Sequence, residues 1–76
     1  MNEEQLRKYH KNYVEICNDF WSIIKEFSNP TNDDEFWQSL KERAQELCDK
    51  DKSSKLRRAM IREAVLEIHR LWKKEQ

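Results

Sequence analysis

The sequence predicts an all-α protein, a bundle of three antiparallel helices arranged up-down-up with a long first helix. The chain has 76 residues, no glycine and a single proline, whereas strand-rich folds rely on glycine in their tight turns. It is rich in Glu, Lys, Arg, Leu and Gln, which favour helices. Its apolar residues recur every three or four positions, as on one face of a helix. We therefore expect one helical-bundle domain over residues 1–76.

Turn and capping residues divide the chain into three helical segments. Pro30 disfavours a helical conformation at the residue before it and ends the first segment. Thr31 or Asn32 is a suitable N-cap for the second segment, whose first turn is acidic. The three helices are expected at about Glu3–Phe27, at about Asp33–Lys50, and from a cap at Ser53 or Ser54 to about Lys74.

Both connections are short, so neighbouring helices should run antiparallel. When the sequence is folded at each connection, Leu40 falls at the centre of the bundle, between Phe20 and Ala64. Large side chains then face small ones, which is what a close-packed core requires. The face of the third helix expected to be buried consists of Leu56, Met60, Ile61, Ala64, Val65, Ile68, Leu71 and Trp72.

The residues that could carry chemistry are few and widely separated. Without glycine the chain cannot form a glycine-rich phosphate-binding loop. His10 and His69 should lie at different levels of the bundle, and Cys17 and Cys48 should be small buried residues that are not joined by a disulfide. A chain this short also has little room for a pocket of several hundred Å³ beside its core. We expect no enzyme, and no catalytic residues, metal ion, cofactor or small-molecule substrate.

The outer face of the third helix carries a basic strip, which is crossed by one leucine and contains no acid. The second helix carries an outward-facing acidic strip, Glu35, Glu42, Glu46 and Asp49. The basic strip is either a solvated face or a contact surface for an acidic protein, for a second copy of the chain or for nucleic acid phosphates. Nucleic acid is the weakest of these readings because the formal net charge is zero. The basic strip consists of Lys55, Arg58, Arg62, Leu66, His69 and Lys73.

The first helix has features of an interaction surface. It is longer than the second by about seven residues, which predicts an overhang of roughly 10 Å that carries Leu6 and Tyr9. Its apolar arc of about 180° is wider than contact with two neighbouring helices requires, and Ile16 and Ile23 lie at one edge. Either large aromatic residues simply widen the core, or this helix also packs on another chain. We expect self-association through Leu6, Tyr9, Ile16 and Ile23.

These features predict a small non-enzymatic interaction protein that acts by self-association, as a homodimer, or by binding another protein. The alternative is a nucleic-acid-associated protein that uses the basic face of the third helix. No apolar run is long enough to cross a membrane. The N-terminal residues are acidic and polar, unlike a signal peptide, and the two cysteines do not form a disulfide framework. We therefore expect a cytoplasmic location.

Overall fold

The chain folds into three helices. A computed structural model describes residues 2–74, in which α1 spans Glu3–Glu26, α2 spans Asp34–Asp49 and α3 spans Lys55–Lys74. All three helices contact one another, and residues 2–74 contain no strand. The all-α three-helix bundle with a long first helix is thus confirmed. None of these helices combines the length and apolarity needed to cross a bilayer.

Local hydrogen bonds explain where the helices begin. Asn2 and Gln5 form a capping box, in which each side chain accepts a hydrogen bond from the other residue's backbone N–H. Ser54 Oγ accepts a hydrogen bond from the backbone N–H of Arg57 at 3.1 Å, which confirms Ser54 as a cap of α3. At α2 the predicted cap is wrong by one or two residues. Asp33 is the N-cap, and Thr31 Oγ1 accepts a hydrogen bond from its backbone N–H.

The core lies where α1, α2 and α3 meet, and Leu40 is buried in it. Leu40 is 1% exposed and belongs to the same buried cluster as Ala64, with Phe20 packed against that cluster. The predicted burial of Leu40 in the same core as Ala64 is therefore confirmed. Burial of these side chains supplies the hydrophobic stabilisation of the bundle. The cluster consists of Ile23, Phe27, Leu40, Leu47, Ile61, Ala64 and Ile68.

Aromatic side chains close one end of the bundle. Trp37 lies at the centre of this group, with Phe36 and Trp72 edge-on to it at centroid distances of 5.0 and 5.4 Å. Trp37 Nε1 donates a hydrogen bond to the carbonyl oxygen of Thr31, and Trp72 Nε1 donates one to Asn32 Oδ1. Both indole N–H groups are thus satisfied, as partly buried tryptophans require. These contacts fix the α1–α2 connection against the last turns of α3.

An ionic cluster closes the opposite end. Arg57, at the start of α3, is 1% exposed. It donates hydrogen bonds to Asp19 Oδ2 at 2.6 Å, to Glu15 Oε1 at 3.3 Å and to the carbonyl oxygen of Leu47 at 3.1 Å. Lys50 Nζ also donates to both carboxylate oxygens of Asp19 at 3.1 Å. One buried guanidinium therefore joins all three helices.

Leu56 and Cys17, both expected to be buried, are exposed. Leu56, expected on the buried face of α3, is exposed, because Arg57 takes the position in line with Ile61 and Ala64. Cys17, expected to be buried, is exposed as well. Both errors have the same physical origin, since α1 and α3 are rotated so that Asp19 meets Arg57.

Candidate interaction surfaces

The N-terminal half of α1 projects beyond the rest of the bundle. Lys50, just after α2, and Arg57, near the start of α3, both contact α1 at the level of Glu15 and Asp19. All residues from Asn2 to Glu15 are exposed. The first twelve residues of α1 therefore extend roughly 18 Å past both neighbours, at about 1.5 Å per residue. This overhang is about five residues longer than the sequence predicted, because α2 and α3 meet α1 further along the helix.

Exposed apolar side chains are concentrated on α1. Of the seven large hydrophobic residues that are exposed in the described range 2–74, five lie on this helix. At about 100° per residue they fall within an arc of roughly 140°, so they form one surface rather than scattered positions. Isolated exposed hydrophobic residues are ordinary, but a contiguous apolar patch is typical of a contact site. We call this set the α1 surface: Leu6, Tyr9, Tyr13, Val14 and Trp21.

The structure corrects half of the predicted self-association set. Leu6 and Tyr9 are exposed, as self-association would require. Ile16 and Ile23 are 1% and 0% exposed, so the expectation that a monomer leaves them in contact with water is wrong. The apolar arc of α1 is wider than its core contact, and the bundle covers the edge that carries these two isoleucines. The opposite edge, with Trp21 at 59% exposure, stays uncovered.

The predicted basic strip on α3 is exposed along its whole length. This holds for Lys55, Arg58, Arg62, Leu66, His69 and Lys73. Within residues 2–74, no carboxylate lies at ion-pairing distance from any basic side chain of this strip. Each of the other four arginines of the chain does pair with a carboxylate. Arg58 and Arg62 thus stand apart as arginines whose charge the described part of the chain does not neutralise.

A groove between α2 and α3 divides the basic strip in two. Three members of the strip line this groove, namely Arg58, Arg62 and His69, whereas Lys55, Leu66 and Lys73 lie outside it. The groove has a volume of about 410 Å³, which is within the usual range for small-molecule sites. The expectation that so short a chain has no such space is therefore wrong. The remaining lining residues are Trp37, Leu40, Lys41, Ala44, Gln45, Cys48, Ile61 and Val65.

The acidic strip on α2 is partly neutralised by its own helix. Glu42 accepts a hydrogen bond from Gln38, and Asp49 accepts one from Gln45. Glu46 forms an ion pair with Arg43 at 3.0 Å. These local pairs are typical of a solvated helix face. The acidic strip therefore gives a weaker indication of a partner than the basic strip does.

Two partly buried titratable groups, Asp19 on α1 and Cys48 on α2, have shifted pKa values. Burial of the Asp19 carboxyl opposes its ionisation, but the hydrogen bonds and charges of Arg57 and Lys50 outweigh that effect and lower its pKa. Burial raises the pKa of the Cys48 thiol, and the nearby Asp49 carboxylate adds to the increase. Cys17 and Cys48 are both free thiols. Among residues 2–74, no cluster of three or more His, Cys, Asp and Glu side chains could hold a metal ion.

Sequence reasoning missed the ionic cluster, although its signal was present. Asp19 lies three residues after Ile16 and four before Ile23, and so falls on the buried side of α1. Arg57 lies four residues before Ile61, on the buried side of α3. Opposite charges on two core-facing rows indicate a buried ion pair. Recognising that pair would have set the rotation of α1 and shown that Trp21 stays exposed.

Comparisons with known proteins leave these surfaces to be interpreted from the chain itself. They covered models of protein families, curated proteins and solved structures. None of the three comparisons finds a significant match to this sequence or its fold.

Proposed function

We propose that this chain is a small, non-enzymatic helical interaction protein that self-associates through the α1 surface. The observation that carries the proposal is the concentration of exposed large hydrophobic side chains on one helix. A different protein that competes with the second copy would bind to the same surface. We place this role in the cytoplasm, because Cys17 and Cys48 are free thiols and reduced cysteines are typical of that compartment.

The geometry of the overhang supports a helical partner. An isolated helix shorter than about 12–15 residues is marginal in water, and the twelve overhanging residues of α1 receive no cover from α2 or α3. Packing against a second helix would cover Leu6, Tyr9 and Tyr13 and stabilise the backbone beneath them. A two-fold arrangement would place the same residues opposite one another on both copies.

The available apolar area supports measurable affinity. A tryptophan side chain buries 150–250 Å² when fully covered, so Trp21 at 59% exposure leaves roughly 90–150 Å² in water. At ~25 cal/mol per Å² this corresponds to about 2–4 kcal/mol of transfer free energy for each copy. The association cost removes part of this gain. Trp21 and Leu6 are accordingly the residues whose substitution should weaken a dimer most.

Sedimentation equilibrium of three proteins tests the proposal. The test variant is Leu6→Glu with Trp21→Glu, and the matched control is Leu56→Glu with Leu66→Glu, which places the same charges on exposed hydrophobic residues of α3. We expect the wild type and the control to dimerise at micromolar to high micromolar concentration and the test variant to stay monomeric. A wild type that remains monomeric throughout this range would contradict self-association. Equal weakening by both variants would place the interface elsewhere.

A second candidate function, nucleic acid binding, is favoured by the unpaired charges of α3. Arg58 and Arg62 meet no carboxylate in residues 2–74, and Lys55 and Lys73 extend the strip. Phosphate contacts by such residues would make affinity fall steeply with salt. Titration of a labelled duplex and a labelled single strand at two salt concentrations tests this candidate. Absence of binding at low salt would remove it.

A further inference from the structure

The exposed apolar residues of α1 are arranged symmetrically about a point near the middle of the helix. Leu6 lies seven residues before Tyr13, and Trp21 lies seven residues after Val14. All four side chains are exposed. A half-turn about the point between Tyr13 and Val14 therefore exchanges Leu6 with Trp21 and Tyr13 with Val14. Two copies of such a surface can pair apolar residue with apolar residue when their helices run in opposite directions.

The same half-turn brings the overhang of α1 beside the half of α1 that belongs to the bundle. The overhang is the first twelve residues of the helix, and α2 and α3 contact the remaining half. In an antiparallel pair each overhang therefore lies along the bundled half of the other helix. The contact extends over roughly 33 Å, compared with roughly 18 Å for two overhangs alone, at about 1.5 Å per residue. The longer contact comes closer to the roughly 800 Å² per partner that stable complexes bury.

The charges of α1 favour antiparallel over parallel pairing. Residues 7–11 contain two lysines, one arginine and no acid, so a parallel pair would place these cations against their own copies. The half-turn instead places them beside residues 16–20, whose only charged residue is Asp19. It also places Glu3 within one residue of the level of Lys25 on the other copy. Lys25 has no carboxylate at ion-pairing distance within residues 2–74.

The most exposed side chains select one register of the antiparallel pair. Trp21 at 59% and Leu6 at 54% are the most exposed large hydrophobic residues between positions 2 and 74. The half-turn places these two opposite each other. A shift of three residues, about one helical turn, would place Trp21 opposite Glu3 in one direction. In the other direction it would place Leu6 opposite Ile24, which already packs against the core of its own bundle.

We propose that two copies of the chain pair their α1 helices antiparallel, about a two-fold axis between Tyr13 and Val14. This proposal rests on the self-association through the α1 surface proposed above and adds the direction and register of the contact. Leu6 of each copy packs on Trp21 of the other, and each overhang covers the bundled half of the other α1. Because both copies use the same surface, association ends at the dimer.

His10 and Cys17 make the register testable by disulfide formation. Both lie within the apolar arc of α1, at about 100° per residue, and the half-turn places His10 opposite Cys17 of the other copy. The test variant is His10→Cys with Cys48→Ser, in the full-length chain. We expect mild oxidation to join the introduced thiol to Cys17 of the other copy in most chains. Trypsin cleaves after Lys11 and separates the two cysteines, so mass spectrometry of the non-reduced digest identifies the linked pair.

Two control variants exclude links that do not depend on the register. Cys48→Ser alone should form no disulfide, because the half-turn separates the two copies of Cys17 by seven residues, or roughly 10 Å, along the axis. The same separation prevents a link between positions 10 and 17 within one chain. Lys8→Cys with Cys48→Ser should also form none, because position 8 lies about 160° around the helix from His10. Circular dichroism verifies that each variant is folded.

A charge exchange measured by sedimentation equilibrium tests the direction of pairing independently. Glu3→Lys places like charges near Lys25 of the other copy twice in each dimer, and should raise the dissociation constant about fivefold. Adding Lys25→Glu restores opposite charges and should recover most of that loss. The double variant keeps any damage that Glu3→Lys does to the start of α1, so recovery reports the contact between copies. No recovery would contradict the antiparallel pair.

The outcomes separate this proposal from self-association itself. A wild type that is monomeric in sedimentation equilibrium removes both. A dimeric wild type with a disulfide between the two copies of Cys17 would contradict antiparallel pairing and leave self-association intact. A dimeric His10 variant that forms no disulfide would place the interface in another register. Equal linking of the Lys8 variant would also contradict this register, because that side chain faces away from the proposed contact.

Discussion

Substitution of Asp19 by asparagine should strongly destabilise the bundle, because it leaves a buried guanidinium without its main counterion. Arg57 Nη1 lies 2.6 Å from Asp19 Oδ2, and the only other carboxylate within ion-pairing distance of Arg57 in the described residues belongs to Glu15. Breaking a buried pair by removing one partner costs 3–5 kcal/mol. We expect about 3 kcal/mol for Asp19→Asn, the lower end of that range, because the asparagine oxygen can still accept a hydrogen bond. A chain of this length has a total stability of about 4–11 kcal/mol.

Urea denaturation followed by circular dichroism measures this loss, and two variants serve as controls. Glu15→Gln removes a carboxylate whose side chain is half-exposed, so it should cost under about 1 kcal/mol. Arg57→Met combined with Asp19→Leu replaces the whole buried pair by apolar side chains and should be nearly neutral or stabilising. It also removes Arg57 Nε, which has no hydrogen-bond partner within residues 2–74. If Asp19→Asn costs no more than Glu15→Gln, the reasoning about the buried charge is refuted.

The same carboxylate makes stability depend on pH. The Asp19 pKa lies below its ordinary value of 3.8 in the folded protein. A group whose pKa is lower in the folded state stabilises the fold above the unfolded pKa, and this contribution is lost as pH falls through the folded pKa. The difference in unfolding free energy between the wild type and Asp19→Asn should therefore have its full value at neutral pH and should decrease as the pH falls below 3.8. A difference that stays constant down to pH 2 would contradict this assignment.

Other predictions concern the core, a cap and the thiols. Leu40→Ala should cost about 2–5 kcal/mol because it opens a cavity in the core, and a loss below 1 kcal/mol in urea denaturation would contradict its burial in the core. Ser54→Ala should cost about 1 kcal/mol through loss of the cap hydrogen bond, whereas Ser53→Ala should cost less, and the reverse order would mean that Ser53 is the cap. Cys48 should react with iodoacetamide more slowly than Cys17 at neutral pH, because the Cys48 thiol is less exposed and burial raises its pKa. Mass spectrometry measures the two rates, and equal rates would contradict this prediction.

The sequence was sufficient to predict the helices and the burial of Leu40 in the core. Apolar spacing and the short connections predicted three helices. The predicted C-terminal end of α1 and both predicted ends of α2 each differ from the observed ends by one residue. The burial of Leu40 could be predicted because the apolar stripe on α2 is narrow, so only one orientation of this helix buries the stripe. The basic strip was also predictable, because identifying it requires knowing only which face of α3 points away from the core.

The rotation of α1 could not be predicted from the apolar periodicity of α1 alone, without pairing Asp19 with Arg57. Its apolar arc is so wide that either edge could face the core, and the choice depends on the contact between Asp19 and Arg57, which are 38 positions apart. Periodicity within one helix carries no information about such a pair. For the same reason the sequence assigned Ile16 and Ile23, rather than Trp21, to the surface. The groove depends on the spacing between α2 and α3, which a sequence pattern also does not give.

The central claim, that the overhang of α1 is covered by a second helix, is tested most directly by amide hydrogen exchange at two protein concentrations. In a monomer the amides of the overhang exchange rapidly, because twelve unsupported helical residues open readily. In a dimer through the α1 surface they are protected. We predict that protection between Leu6 and Tyr13 rises as the protein is concentrated from low to high micromolar, while the pattern around Leu40 changes little. Rapid exchange of the overhang at every concentration would contradict the claim.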